Sequence, residues 1–83
     1  MPKPHSIPEP ARIGALLAEY RHARGLSQEA LALRAGLDRT YIGYVEQGKR
    51  NPTVQATWRV LVALGVSWRE FGERLDALHR HED

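Results

Sequence analysis

From Ala11 onward the apolar residues recur at helical spacing, and no stretch alternates apolar and polar over the length of a strand. Ile13, Leu16, Leu17 and Tyr20 fall at i, i+3, i+4 and i+7, which predicts a first helix closed at Gly25. Ser27 is a good N-cap for a second helix through Ala35, with Leu31, Ala32 and Ala35 inward, Leu33 and Arg34 outward, and Gly36 as its stop. Asp38 is the expected cap of a third helix, whose Ile42 and Val45 face inward and which ends at Gly48. Thr53 caps a fourth, where Val54, Trp58, Leu61 and Val62 form the expected inner stripe up to Gly65. Ser67 and Glu70 have capping-box spacing and open a fifth helix carrying Trp68, Phe71, Leu75 and Leu78. The run Val60 to Leu64 has the length of a buried strand, but it continues a helical stripe and reads as helix. The pattern predicts an all-α chain of five short helices joined by tight turns.

Four of the five prolines (Pro2, Pro4, Pro8 and Pro10) precede this pattern. Proline lacks an amide donor and restricts its neighbour, so residues 1–10 are expected to form an extended arm. Pro10 also suits the first turn of the helix that follows. The expected domain spans residues 11–78, and residues 79–83 form a polar tail. At 83 residues there is room for one core and little material for an enzyme pocket. The chain has no cysteine, which excludes disulfides, thiolate metal sites and cysteine nucleophiles, and fits a reducing, cytoplasmic setting. The longest apolar run is far short of the ~20 residues that span a bilayer, and the first ten residues lack the apolar centre of a secretion signal.

Charge changes the picture modestly. Residues 1–52 carry eight Lys/Arg against five Asp/Glu, and residues 53–83 carry four against five. A basic first part attracts polyanions, although ordinary solvated surface has the same composition. The stretch from Gln28 to Gln47 is more informative. Two short helices meet at Gly36, where a positive φ permits a sharp turn, and Leu31, Ala35, Leu37, Ile42 and Val45 can fill the angle between them. That is what a helix-turn-helix needs: one helix braces while the next projects its polar face into a major groove.

The segments YRHARGLSQEALALRAGL, DRTYIGYVEQGKRNPTV and LVALGVSWREF, in that order and spacing, resemble the lambda-repressor-like (Cro/C1-type, XRE) helix-turn-helix family from Ile13 to Leu75. The resemblance implies a compact five-helix DNA-binding domain acting as a homodimer on double-stranded DNA. Leu37 to Ile42, followed by Arg50 and Asn51, is similar to the small controller proteins of restriction–modification systems. Under this resemblance Arg39 and Thr40 open the reading helix, where arginine can grip guanine O6 and N7 while threonine offers a hydroxyl or methyl. Gly43 and Tyr44 stand one turn later, where many relatives carry a polar reader. The glycine fits close backbone approach to DNA, and the tyrosine fits a thymine methyl or a phosphate. Gln28, Tyr41, Lys49, Arg50 and Asn51 are the expected phosphate contacts, with Tyr41 equally suited to packing. Arg21 and Glu46 are implied to pair between the first and third helices, with the arginine also offered to a phosphate.

The stripe Trp68, Phe71, Leu75 and Leu78 exceeds what so small a core absorbs. Core packing is expected of Phe71 and stays open for Trp68, and the surplus is expected to form a two-fold interface. A dimer would present two reading helices about 34 Å apart to a near-palindrome. Such a regulator acts by occupancy, blocking RNA polymerase or touching it from an upstream site. No cofactor, metal or small-molecule ligand is implied: His79, His81, Glu82 and Asp83 read as polar tail. There is no Gly-rich phosphate loop, paired-histidine zinc motif or nucleophile with an evident base. The reading from another class is a protein-interaction module reusing the fold, such as an antitoxin or coactivator-like adaptor.

Overall fold

The structure, a computed structural model, describes residues 9–80, with side chains through Leu78. It contains α1 (Pro10–Ala23), α2 (Gln28–Ala35), α3 (Arg39–Glu46), α4 (Val54–Leu64) and α5 (Trp68–Arg80), and no strand among the described residues. Pro10 takes the first turn of α1, where its missing donor costs nothing. The fifth helix runs two residues past the expected boundary at Leu78. Residues 1–8 of the expected arm and the side chains of the expected tail lie outside the described residues.

Local signals start and stop the helices. Ser27 Oγ accepts from the Ala30 amide, Thr53 Oγ1 from the Ala56 amide, and Ser67 Oγ from the Glu70 amide. Each satisfies a donor that a helix start leaves unpaired. Asp38 departs from expectation: its backbone is extended, as an N-cap requires, but its carboxylate makes no bond to the first amides of α3. At the α2–α3 turn Gly36 has φ +69°, the left-handed conformation that lets the chain turn within a few residues.

The core lies where α1, α2, α3 and α4 converge. Leu17, Leu31 and Leu61 are its most deeply buried large side chains, with Ile42, Val45 and Val60 around them. α1 crosses α3 so closely that a Cβ on Gly14 would stand 1.9 Å from the Val45 carbonyl oxygen. Just past the end of α1, the Arg24 Nε donates to the Leu64 carbonyl at 2.8 Å, tying that end to the last turn of α4. α5 is joined to α1 by the Arg74–Glu19 ion pair and by Arg74 standing 5.5 Å over the Tyr20 ring.

Two expectations about inner faces need correction. On α4 the buried face is Ala56, Thr57, Val60, Leu61 and Leu64, whereas Val54, Trp58 and Val62 point outward. Of the expected stripe only Leu61 is buried. Two apolar faces share this helix, and the one made of smaller and branched side chains fits against α2. On α5, Phe71 is 4% exposed and belongs to the core, as expected, whereas Leu75, expected among the surplus, is half-buried against that core and does not stand wholly free for a partner. Trp68 and Leu78 remain exposed.

Candidate nucleic-acid interface

α3 is held on its inner side and open on its outer side. Ile42 and Val45, three apart, are buried in the core. Arg39, Thr40 and Tyr44 are exposed, and Gly43 lies half-buried between them. Side chains at i, i+1, i+4 and i+5 share one side of a helix, so these four positions make one surface. Nothing in the described chain requires glycine at 43. Its φ is not positive, and an added Cβ would meet only Gln28 Oε1, at an ordinary 3.6 Å.

The far end of α3 is locked by charge. Arg21 Nε donates to Glu46 Oε2 at 2.7 Å and Arg21 Nη2 to Glu46 Oε1 at 2.9 Å, a two-pronged pair across 25 residues. Arg21 Nη1 donates to the Leu26 carbonyl at 2.8 Å, which holds the loop between α1 and α2. Burial would push the Glu46 carboxyl up, but the hydrogen bonds from Arg21 and Gln28, with the charge of Arg21, hold it below the ordinary carboxylate range. The expected pair is present. The phosphate role the resemblance implied for Arg21 fits less well, because the residue is only 7% exposed and each guanidinium nitrogen is engaged.

Beyond α3 the chain winds into a C-terminal cap. Gly48 (φ +76°) and Lys49 send their amides back to the carbonyls of Val45 (3.0 Å) and Tyr44 (2.9 Å), the two bonds of a Schellman motif. The wrap carries Lys49, Arg50 and Asn51 to the flank of α3, all exposed. Tyr41 is half-buried there. Its hydroxyl accepts from the Thr53 amide at 3.3 Å, and its ring lies 5.8 Å beneath the Arg50 guanidinium. Of the two roles open to Tyr41, packing is plainly present: it ties α3 to the start of α4 and steadies Arg50.

Gln28 opens α2 beside this surface. Its Nε2 donates to Glu46 Oε1 at 2.9 Å, a bond no sequence pattern indicated. Gly14 was also unmarked, although a glycine among Ile13, Leu16 and Leu17 is a legible sign of close helix approach. Away from α3, the outward Val54, Trp58 and Val62 of α4 continue into Trp68 of α5. The two indoles stack at 6.3 Å with planes 18° apart, and both are about half exposed. Among the described residues no group of His, Asp or Glu has the arrangement of a metal site, and no helix is long and apolar enough to cross a membrane.

The helix-turn-helix family model matches residues 17–71, from the core of α1 to Phe71. The control protein C.SmaI of Serratia marcescens is 46% identical over 59 residues, covering 66% of this chain and 70% of that protein. The HTH-type transcriptional regulator y4dJ of Sinorhizobium fredii is 40% identical over 55 residues, covering 66% and 71%. Among solved structures, the restriction-modification controller protein C.AhdI from Aeromonas hydrophila superposes with a TM-score of 0.72 at 44% identity, over 75% of this chain and 94% of its own. The C.Esp1396I tetramer in complex with its natural 35 base-pair operator gives 0.79 at 31% identity, over 84% and 92%. Solved variants of C.Esp1396I alter three successive residues, an arginine, a threonine and a tyrosine, the order in which Arg39, Thr40 and Tyr41 stand here. With its bracing helix, its projecting helix and the family match in register, the chain belongs to the Cro/C1-type helix-turn-helix family.

Proposed function

We propose that this chain is a sequence-specific DNA-binding transcription regulator of the restriction–modification controller type, acting as a homodimer on a near-palindromic operator. The observation that carries the reading is α3, whose inner side is fixed by Ile42, Val45 and the Arg21–Glu46 pair while Arg39, Thr40 and Tyr44 face outward. In a major groove Arg39 grips guanine O6 and N7, Thr40 meets a neighbouring base edge, and Tyr44 touches a thymine methyl or the backbone. Gly43 lets the helix backbone come close. Lys49, Arg50 and Asn51 take the flanking phosphates, with Arg50 steadied over Tyr41. These contacts position the protein and supply most of the affinity.

A single copy of α3 spans only a few base pairs, so a second copy is needed for useful selectivity. The outward face of Val54, Trp58, Val62, Trp68 and Leu78 is the surface that second copy covers. Regulation is then by occupancy of the operator, with RNA polymerase blocked or contacted. The protein works in the cytoplasm, without enzymatic activity, cofactor or small-molecule ligand. The controller assignment is supported by the likeness to C.SmaI and C.AhdI, and a methyltransferase or endonuclease gene beside its own is the expected setting.

Gel shifts on the DNA upstream of its own gene, with scrambled duplex as control, test the proposal. The expected result is a preferred near-palindrome whose affinity falls about a hundredfold between roughly 50 and 200 mM salt, for about four phosphate contacts per dimer. Weak retention without sequence preference would instead favour an adaptor that reuses the fold.

A further inference from the structure

Gln28 stands where family resemblance expects a phosphate contact, yet its side chain is turned another way. A carboxylate only accepts hydrogen bonds, and Glu46 is held ionised by Arg21. The amide edge of Gln28 that meets Glu46 Oε1 at 2.9 Å must therefore be the NH2 group. Its carbonyl oxygen is thereby directed to α3, where it lies 3.6 Å from the point a Cβ of residue 43 would occupy. Gly43 shares the outward side of α3 with Arg39 and Thr40, which stand one turn before it. The vacancy left by the glycine is thus bordered by a hydrogen-bond acceptor borrowed from α2.

Phosphate oxygens are themselves acceptors, so a carbonyl oxygen offered outward repels them. Donors in a major groove are the exocyclic amino groups, N6 of adenine and N4 of cytosine. We infer that Gln28 reads a base from the bracing helix, accepting a hydrogen bond from adenine N6 or cytosine N4 at the register of Gly43. This role rests on α3 entering the groove as proposed above. Adenine fits the amide more fully, because its N7 accepts from the second N–H of Gln28 while N6 donates to the oxygen. Glu46 is then a positioning residue for base reading as well as a lock for α3. The glycine has a matching purpose, since any side chain at 43 would stand between Gln28 and the base.

The test uses the full chain and a duplex series in which each base pair of the preferred operator is changed singly. Gln28→Lys is the informative variant: it can donate to Glu46, and would serve a phosphate, but has no acceptor. Gln28→Ala serves as the deletion, and thermal melting checks that both variants fold. With the native chain, one position per half-site should require adenine or cytosine, with about tenfold discrimination against the other bases. In Gln28→Lys that discrimination should vanish while preferences at the remaining positions persist. The inference is overturned if Gln28→Lys keeps every preference. It is equally overturned if Gln28→Ala weakens all duplexes alike, the signature of a lost phosphate contact. A native chain with no base preference anywhere would sink the regulator reading itself, and this role with it.

Discussion

Gly14 and Gly43 show how one residue type serves two ends. Gly14 is demanded by the fold: a methyl there would stand 1.9 Å from a backbone oxygen of α3, and backbone cannot swing aside. Gly14→Ala should therefore cost about 3 kcal/mol or more, read as a lower urea midpoint, with DNA binding lost as α3 is displaced. Gly43 is demanded by nothing among the described residues, so Gly43→Ala should raise stability by up to about 1 kcal/mol through helix propensity while weakening operator binding about tenfold. A variant that melted higher and bound as well as the native chain would remove Gly43 from the interface. Glu46 gives a third case. Its side chain is 9% exposed, so Glu46→Ala leaves Arg21 buried without a counter-charge and should cost about 3 kcal/mol. Because the folded carboxyl lies below its unfolded value of about 4.3, the stabilisation is complete above that pH and is lost as pH falls through the folded value. Acid unfolding of Glu46→Gln should accordingly be less steep over the same range. The Arg21–Glu46 pair was foreseen through the family resemblance, not from the residues alone. Partners were illegible where three-dimensional approach decides, as with Gln28 over Gly43.

The helices and most of their ends were read correctly because their signals are local, the Asp38 cap and the end of the fifth helix being the exceptions. Serine and threonine caps and glycine stops act within four residues of themselves, so Ser27, Thr53, Ser67, Gly36 and Gly65 needed no tertiary knowledge. Which side of α4 faces inward was misread for the opposite reason. Periodicity shows which residues avoid water, and α4 carries two such faces; the larger side chains, Trp58 among them, lie on the one its own chain leaves open. α4 is also stabilised by an element remote in sequence. Arg24 donates to the Leu64 carbonyl and stands 5.6 Å over the Tyr20 ring, placing a cation at the negative end of the helix. Arg24→Ala should lower stability by about 1 kcal/mol, since the residue is exposed, and should speed amide hydrogen exchange in the last turn of α4 more than in α2.

At the scale of the whole molecule, folding and assembly draw on different surfaces. The core closes with Leu61, Val60 and Phe71, while Trp58 and Trp68 stack on its outside, about half exposed, with Trp68 also meeting the Phe71 ring edge-on. If a second copy covers the indoles, the melting temperature rises with protein concentration, because association stabilises only the folded state. Trp58→Ala separates the two demands. The lone chain should remain folded, with helical content unchanged and stability within about 1 kcal/mol, because the indole is 52% exposed. Its melting temperature should cease to depend on concentration, and sedimentation should show a monomer at micromolar concentration. Binding to a two-half-site duplex should drop at least a hundredfold, to the level of an isolated half-site, since the second α3 is no longer delivered with the first. Base preferences within each half-site should be untouched, because Arg39 and Thr40 act on α3 alone. Should Trp58→Ala remain dimeric and bind the full duplex as tightly as before, the two-fold face lies elsewhere and the paired indoles need another explanation.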